Sequence, residues 1–338
     1  MMRAWMMILL LLLAAARPAA GQSGDANDDQ RIDEQDVSAI IDHALERRKA
    51  PGQPDTDADT VVGVTDAVRI GRTLAAPDRM KVLLPGGAAL ELVRIPAGRF
   101  TMGSAGDEGW DIGVEGPEHQ VTFSVDSAFY LGKYEITQAQ WEALMGEWPG
   151  DKPIKNFGAG PDYPAYNISW NDAQKFIAAL NAHIQRTNQA AAGFRLPSEA
   201  EWEYACRAGS RERFCFGDSK LEPTASDAAG DLGEHAWFAG NNKSQNGAKP
   251  VGARRPNAFG LYDMHGNVFE WCQDTFQPNY DEAPADGSAW EVADAETRVL
   301  RGGAWASTPM QCRSVVRIDY PADSRLPSVG FRVAYAAK

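Results

Sequence analysis

Two stretches crowded with glycines and aromatics most narrow what this chain can fold into. Residues 256–271 read P-N-A-F-G-L-Y-D-M-H-G-N-V-F-E-W; residues 298–305 read R-V-L-R-G-G-A-W, followed by Cys312-Arg313-Ser314 and Gly330-Phe331-Arg332. Neither helical spacing nor strand alternation orders them. Glycine lets a carbonyl approach an ion or a neighbouring chain where a side chain would collide. They predict an irregular, aromatic-rich scaffold whose loops are pinned by these two segments.

With 338 residues the chain can bury a full core and hold more than one domain. The first 21 residues read as a secretory signal: Arg3 in the positive region, then an apolar run from Ala4 to Ala16, then small residues at Ala19, Ala20 and Gly21. Thirteen apolar residues are short for a bilayer span. The expectation is a secreted, periplasmic or extracellular protein, with no membrane association after cleavage. Loss of those 21 residues removes two arginines from the 33 basic residues, leaving 31 against 46 acids and moving the formal charge from −13 to −15. Such a balance argues against nucleic acid or anionic lipid as partner and fits acidic ion sites. Four cysteines in an exported chain suggest two disulfides in one of three connectivities. The short separation of Cys206 and Cys215 would leave Cys272 for Cys312.

Residues 25–36 carry oxygen ligands at calcium-loop spacing. Asp25, Asn27, Asp29, Asp33 and Asp36 occupy positions 1, 3, 5, 9 and 12, and Arg31 offers its carbonyl at position 7. The pattern returns thirty residues later with Asp55, Asp57, Asp59, the Val61 carbonyl and Asp66. Apolar Ile32 and Val62 fill the slot that pairs two such loops. Helically spaced apolar residues follow each copy. Gln30 and Thr60 stand where a turn glycine is usual, and Gly63 supplies no side-chain oxygen, so the second site is expected to be weaker. An acidic disordered linker is the competing account. The pair resembles a dockerin module or its EF-hand relatives, a resemblance that implies calcium and, as one candidate partner, a cohesin-type module.

The remainder reads as mixed strands and helices. Val82–Leu84 and Leu90–Ile95 flank a Gly86-Gly87 turn, and Val121–Val125 alternates. Three helix starts carry capping signals: Thr137 with Gln140, Ser169 with Asp172, and Ser198 with Glu201. The expected organisation is a signal at 1–21, a calcium-binding repeat at 22–76, a linker at 77–81 and a large domain at 82–338.

Several motifs in fixed order make the large domain recognisable. I-P-A-G-R-F-T-M-G-S, K-Y-E-I-T, S-W-N-D-A, R-L-P-S-E-A-E-W-E-Y-A, N-A-F-G-L-Y-D-M-H-G-N-V-F-E-W, R-G-G-A-W and G-F-R together resemble the formylglycine-generating enzyme, or sulfatase-modifying-factor, family. The resemblance implies an α+β, C-type-lectin-like fold for residues 82–336, with the dockerin-like repeat as a small all-α module before it. It also implies bound calcium and, in active members, a copper-dependent oxidase that turns a sulfatase cysteine into formylglycine.

For calcium the resemblance points to Asp263, the Gly266 and Val268 carbonyls and Glu270, all hard oxygen donors. For copper it points to two cysteines five residues apart, and here they fall on Ser307 and Cys312. A hydroxyl is a poor ligand for soft Cu(I), so Ser307 in the first position makes copper doubtful. The family's serine after Gly-Gly is Ala304, and its tryptophan before Glu-Trp is Phe269. Cys312 is the one candidate catalytic thiol, against the alternative of a disulfide or buried thiol. His265 is expected to be a hydrogen-bonded loop residue, Arg301, Arg313, Arg317 and Arg332 to pair with acidic loops, and the tryptophans to be mostly core, with a few lining a sugar- or peptide-binding groove. The expectation is a secreted calcium-binding family member that binds a protein or glycan ligand; the alternative is an active formylglycine-generating oxidase.

Overall fold

A computed structural model describes residues 78–104, 120–190, 193–217, 231–242 and 246–336. The predicted signal and the acidic repeat, with Asp25 through Asp66, lie outside the described residues. So does the stretch between Ser104 and Gln120.

Three small sheets carry the domain. The first has the order β1-β2-β5-β11-β6 and is antiparallel throughout: β1 (Arg79–Leu83), β2 (Ala89–Ile95), β5 (Phe129–Gly132), β11 (Ala334–Ala336) and β6 (Phe194–Arg195). The second has the order β10-β7-β8-β9. Here β10 (Val329–Gly330) runs parallel to β7 (Phe269–Thr275), and β8 (Thr297–Arg301) and β9 (Arg317–Pro321) continue it antiparallel. The third is a hairpin of β3 (Gly98–Met102) with β4 (Val121–Val125). The predicted strands at 90–95 and 121–125 fall inside β2 and β4; the first overlaps β1 at Val82 and Leu83 but not Leu84, and β1 begins at Arg79, within the stretch read as linker.

All three capping signals form helices where local chemistry placed them. Thr137 accepts from the Gln140 backbone amide at the start of α1 (Gln138–Met145), and the Thr137 backbone amide donates in return to the Gln140 side-chain oxygen. Ser169 and Asp172 box the start of α2 (Trp170–Thr187), whose Ala173, Phe176, Ile177 and Leu180 are buried. Ser198 and Glu201 box α3 (Glu199–Arg207). A short α4 spans Asp231–His235. Each box satisfies amides that the first helical turn leaves orphaned. Among the described residues no helix is long and apolar enough to cross a membrane.

Helix α3 is the hub, and every one of its nine residues is buried. Trp202 and Ala205 join Ile95, Leu131, Leu261, Met264 and Val299 in the core between the sheets. Its other face carries charge. Glu199, Glu203 and Arg207 sit four residues apart, one above another on the helix. Arg317 donates to both Glu199 oxygens at 2.8 and 2.6 Å; Arg301 lies 3.3 Å from Glu199 and also bonds Glu203; Glu203 accepts from Arg207 at 2.8 Å. This gives a buried chain of alternating charge, Arg317–Glu199–Arg301–Glu203–Arg207. Arg301, Arg317 and Arg332 were expected to meet acidic loops; instead their acids stand on α3 and β7, because strands β8 and β9 and the 330–332 segment pack against those elements. Arg313 donates from Nε to the Met310 carbonyl at 3.0 Å.

The disulfide expectation also needs correction. All four cysteines are free thiols. Cys206 and Cys272 sit in the central core, while Cys312 packs in a separate cluster with Phe214, Leu232, Ala236 and Phe238, so the proposed partner of Cys272 belongs to a different part of the interior. The tryptophans divide between core and surface: Trp202 and Trp271 are fully enclosed, and Trp170, Trp237 and Trp305 are half-buried.

Candidate functional site

Loop 261–268 enters β7 through two non-glycine residues in the left-handed region, Asp263 (φ 59°) and Asn267 (φ 67°). Between them Gly266 has no room for a side chain, since a Cβ there would lie 2.2 Å from the Trp237 carbonyl oxygen. The turn carries Asp263 and Glu270 into the interior, beside Glu135 from the segment before α1. All three carboxylates are at most 2% exposed.

Two arginines bear on these acids, Arg254 through Asp263 alone and Arg332 through all three. Arg332 is fully enclosed and donates Nε and Nη2 to the two Glu270 oxygens at 2.6 and 2.5 Å. It also donates to the Gly132 and Tyr262 carbonyls, and the Trp202 indole donates to Glu270 at 2.7 Å. Glu270 is therefore well satisfied. Glu135 and Asp263 are not. Glu135 accepts from the Asn267 amide through Oε1 at 3.1 Å, and Asp263 accepts from the Gly252 amide through Oδ2 at 2.7 Å. Their other oxygens, Oε2 and Oδ1, are buried with no hydrogen-bond partner. Burial, reinforced by the Asp263 and Glu270 charges, holds the Glu135 carboxyl well above its ordinary range. Burial likewise raises Asp263 to about 6, against the pull of the Gly252 amide and Arg332.

Such orphaned oxygens are costly unless something positive or proton-bearing fills the gap between them. Oxygen-only donors of this kind suit a hard cation. Among the described residues no three His, Cys, Asp or Glu side chains form a metal-holding group, so a cation here would complete its shell from carbonyls and water. The residues named from the sequence come together only in part: Asp263 offers a spare oxygen, whereas Glu270 is held by Arg332 and Trp202. Glu135 was missed. A lone acid between Tyr134 and Ile136 gives no spacing to read, though an acid flanked by two apolar residues ahead of a helix cap was a usable signal.

The second predicted centre is Ser307 with Cys312. Ser307 accepts from the Ala304 amide through Oγ at 2.9 Å, and its carbonyl accepts from Ala239 at 3.0 Å. The hydroxyl thus closes the turn after Gly302-Gly303. Gly303 (φ 73°) packs directly on Cys312, whose Sγ would lie 2.8 Å from a Cβ there. Cys312 has no exposed surface. One enclosed thiol and one turn-forming hydroxyl do not fit a two-thiolate Cu(I) site. His265 is committed as expected: Nδ1 donates to the Cys312 carbonyl at 2.9 Å, and Nε2 accepts from the Cys215 amide at 3.1 Å. Burial lowers it to about 4 and keeps it neutral. The nearby Cys206 and Cys215 thiols are pushed up by burial, Cys215 to about 12, so neither is a ready thiolate.

Fold and site together define a loop-rich α/β domain in which glycine turns deliver buried carboxylates to a central arginine. Residues 85–337 match the sulfatase-modifying factor enzyme 1-like domain, and the chain belongs to that family. Formylglycine-generating enzyme of Streptomyces coelicolor is 30% identical over 318 residues, covering 77% of this chain and 96% of that protein. Inactive C-alpha-formylglycine-generating enzyme 2 of Bos taurus is 28% identical over 309 residues, covering 75% and 91%. Among solved structures, PvdO from Pseudomonas aeruginosa matches with a TM-score of 0.64 and 32% identity, covering 78% of this chain and all of that one. The relatives thus include both proteins named as enzymes and proteins named as inactive.

Proposed function

We propose that this protein is an exported, calcium-binding member of the family that serves as a binding or accessory protein and lacks copper-oxidase chemistry. The observation that carries the reading is Ser307: its hydroxyl is spent on the Ala304 amide where a second thiolate would be needed. The loop-rich scaffold is read as C-type-lectin-like, presenting half-buried Trp237 and Trp305 toward a protein or glycan ligand. The acidic repeat, with Asp25 and Asp55 opening its two loops, is read as a dockerin-like calcium module for a cohesin-type partner.

Incubation with Cu(I), oxygen and a Cys-x-Pro-x-Arg peptide tests the central point. Mass analysis is expected to find the cysteine intact. Conversion of its thiol to an aldehyde would establish the oxidase reading, which the likeness to the Streptomyces coelicolor enzyme favours.

In the large domain calcium is assigned to the spare oxygens of Glu135 and Asp263, completed by the Gly266 and Val268 carbonyls, with Glu270 at the margin under Arg332. A ligand that binds only the folded state stabilises it by RT ln(1 + [L]/Kd), about 2.7 kcal/mol at a hundredfold excess over Kd. Calcium should raise the melting temperature and a chelator should lower it. In Glu135→Gln the calcium-dependent part should shrink, the acidic repeat supplying any residue. An equal calcium shift in wild type and Glu135→Gln would remove Glu135 from the site.

A further inference from the structure

Strand β3 pairs with β4 on one side, and its other edge faces the end of α3. Between them lies a cavity of about 320 Å³, at the lower end of the size range of small-molecule sites. Its floor is aromatic, with Phe100 and Tyr204 at 5.3 Å between ring centroids. Gly98 makes room for that floor: a Cβ there would lie 2.4 Å from the Tyr204 hydroxyl. The hydroxyl itself makes no hydrogen bond among the described residues.

The walls are cationic in a chain whose formal charge is −13. Arg99, Arg207 and Arg211 line the cavity together with Thr101, and among the described residues no carboxylate lines it. Arg207 is already neutralised by Glu203 and tied to the Glu212 and Gly103 carbonyls. Arg99 and Arg211 are exposed, and neither has a carboxylate partner among the described residues. Arg99 is steered by Ser124, to which its Nε donates at 3.0 Å, leaving its two terminal nitrogens for something else. Two uncompensated guanidinium groups over an aromatic floor, beside free hydroxyls, make a recognisable combination. Guanidinium forks match the oxygens of carboxylate, sulfate or phosphate, and a ring face accepts the body that carries them.

We propose that this cavity binds a small, ring-bearing oxyanion of monosaccharide size, held through Arg99 and Arg211 with its ring against Phe100 and Tyr204. The site is separate from the Glu135–Asp263 centre and from Ser307, and it stands whether or not the protein is an oxidase.

Calorimetric titration of the full chain with glucose 6-phosphate, glucose 6-sulfate, glucuronate and neutral glucose tests it. At least one charged sugar should bind saturably with one-to-one stoichiometry, and glucose at least tenfold more weakly. The preferred sugar identifies the oxyanion. The double variant Arg99→Ala/Arg211→Ala should lose at least tenfold in affinity with an unchanged melting temperature, since both side chains are exposed. Arg255→Ala, which removes an exposed arginine outside the cavity, should bind as wild type. The proposal is overturned by the absence of saturable binding for every charged sugar, by glucose binding equally well, or by wild-type affinity in the double variant.

Discussion

Replacing Arg332 with methionine is expected to destabilise the large domain by about 3–5 kcal/mol, the range for stripping one partner from a buried ion pair. Methionine keeps most of the stem volume, so the loss measures charge and hydrogen bonds more than packing. Four bonds go at once: two to Glu270 and one each to the Gly132 and Tyr262 carbonyls. Glu270 would keep only the Trp202 indole, with Glu135 and Asp263 close by and Arg254 acting on Asp263 alone. A loss of that size is a large share of a typical domain's whole stability. Chemical denaturation in the presence of a chelator reads it directly. Saturating calcium should recover part of the loss, because the cation proposed between Glu135 and Asp263 would relieve the same repulsion. A loss below about 1 kcal/mol, the level of an exposed pair such as Arg255 with Glu234, would mean that Arg332 is not the counter-charge of the centre.

That centre also marks the limit of what the chain discloses before it folds. Thr137, Ser169 and Ser198 were readable because a capping box is complete within four residues, and the helix it starts needs no distant partner to be recognised. Strands β2 and β4 were readable from their own alternation. Strands β10 and β11 were not: at two and three residues they carry no period, and they exist because β7 and β5 offer an edge. The charged interior was half legible. Glu199, Glu203 and Arg207 display helical spacing, but their partners Arg301 and Arg317 lie some hundred residues away. Only the fold brings them within 3.3 Å. The disulfide expectation failed for a related reason: export sets what cysteines could do, while packing decides which thiols meet.

At Ser307 the position was legible and the consequence was not. A missing cysteine shows in the sequence as an absence. The structure adds that the hydroxyl has a task of its own, closing the Gly-Gly turn onto Cys312. Ser307→Cys alone should therefore fail to restore tight Cu(I) uptake, since the new thiol would inherit that turn and its partner thiol would still lack any exposed surface.

The second large effect is on pH. Asp274 is buried beside Glu199, and burial first, then the Glu199 charge, raises its carboxyl from 3.8 to about 7. Both of its oxygens accept backbone amides, from Glu199 at 2.7 Å and Trp290 at 2.9 Å, which moderates the rise without cancelling it. Arg301 and Arg317 cannot serve it fully because they are engaged with Glu199. The folded state therefore keeps a proton that the unfolded state releases. A group raised in this way adds stability that is complete below its unfolded value near 4 and is lost as pH climbs to 7. Three pH units correspond to about 4 kcal/mol as an upper bound. His265 acts in the opposite sense over much of the same window. Lowered from 6.5 to about 4, it costs stability as pH falls between those values. The two effects partly cancel in the wild-type profile, so the informative quantity is the difference between wild type and Asp274→Asn. Asparagine loses one amide bond, a cost that does not vary with pH. Wild-type stability minus variant stability should fall steadily from pH 4 to 7 and then level. A flat difference would mean that Asp274 stays ionised throughout, with its two amide bonds outweighing both burial and Glu199.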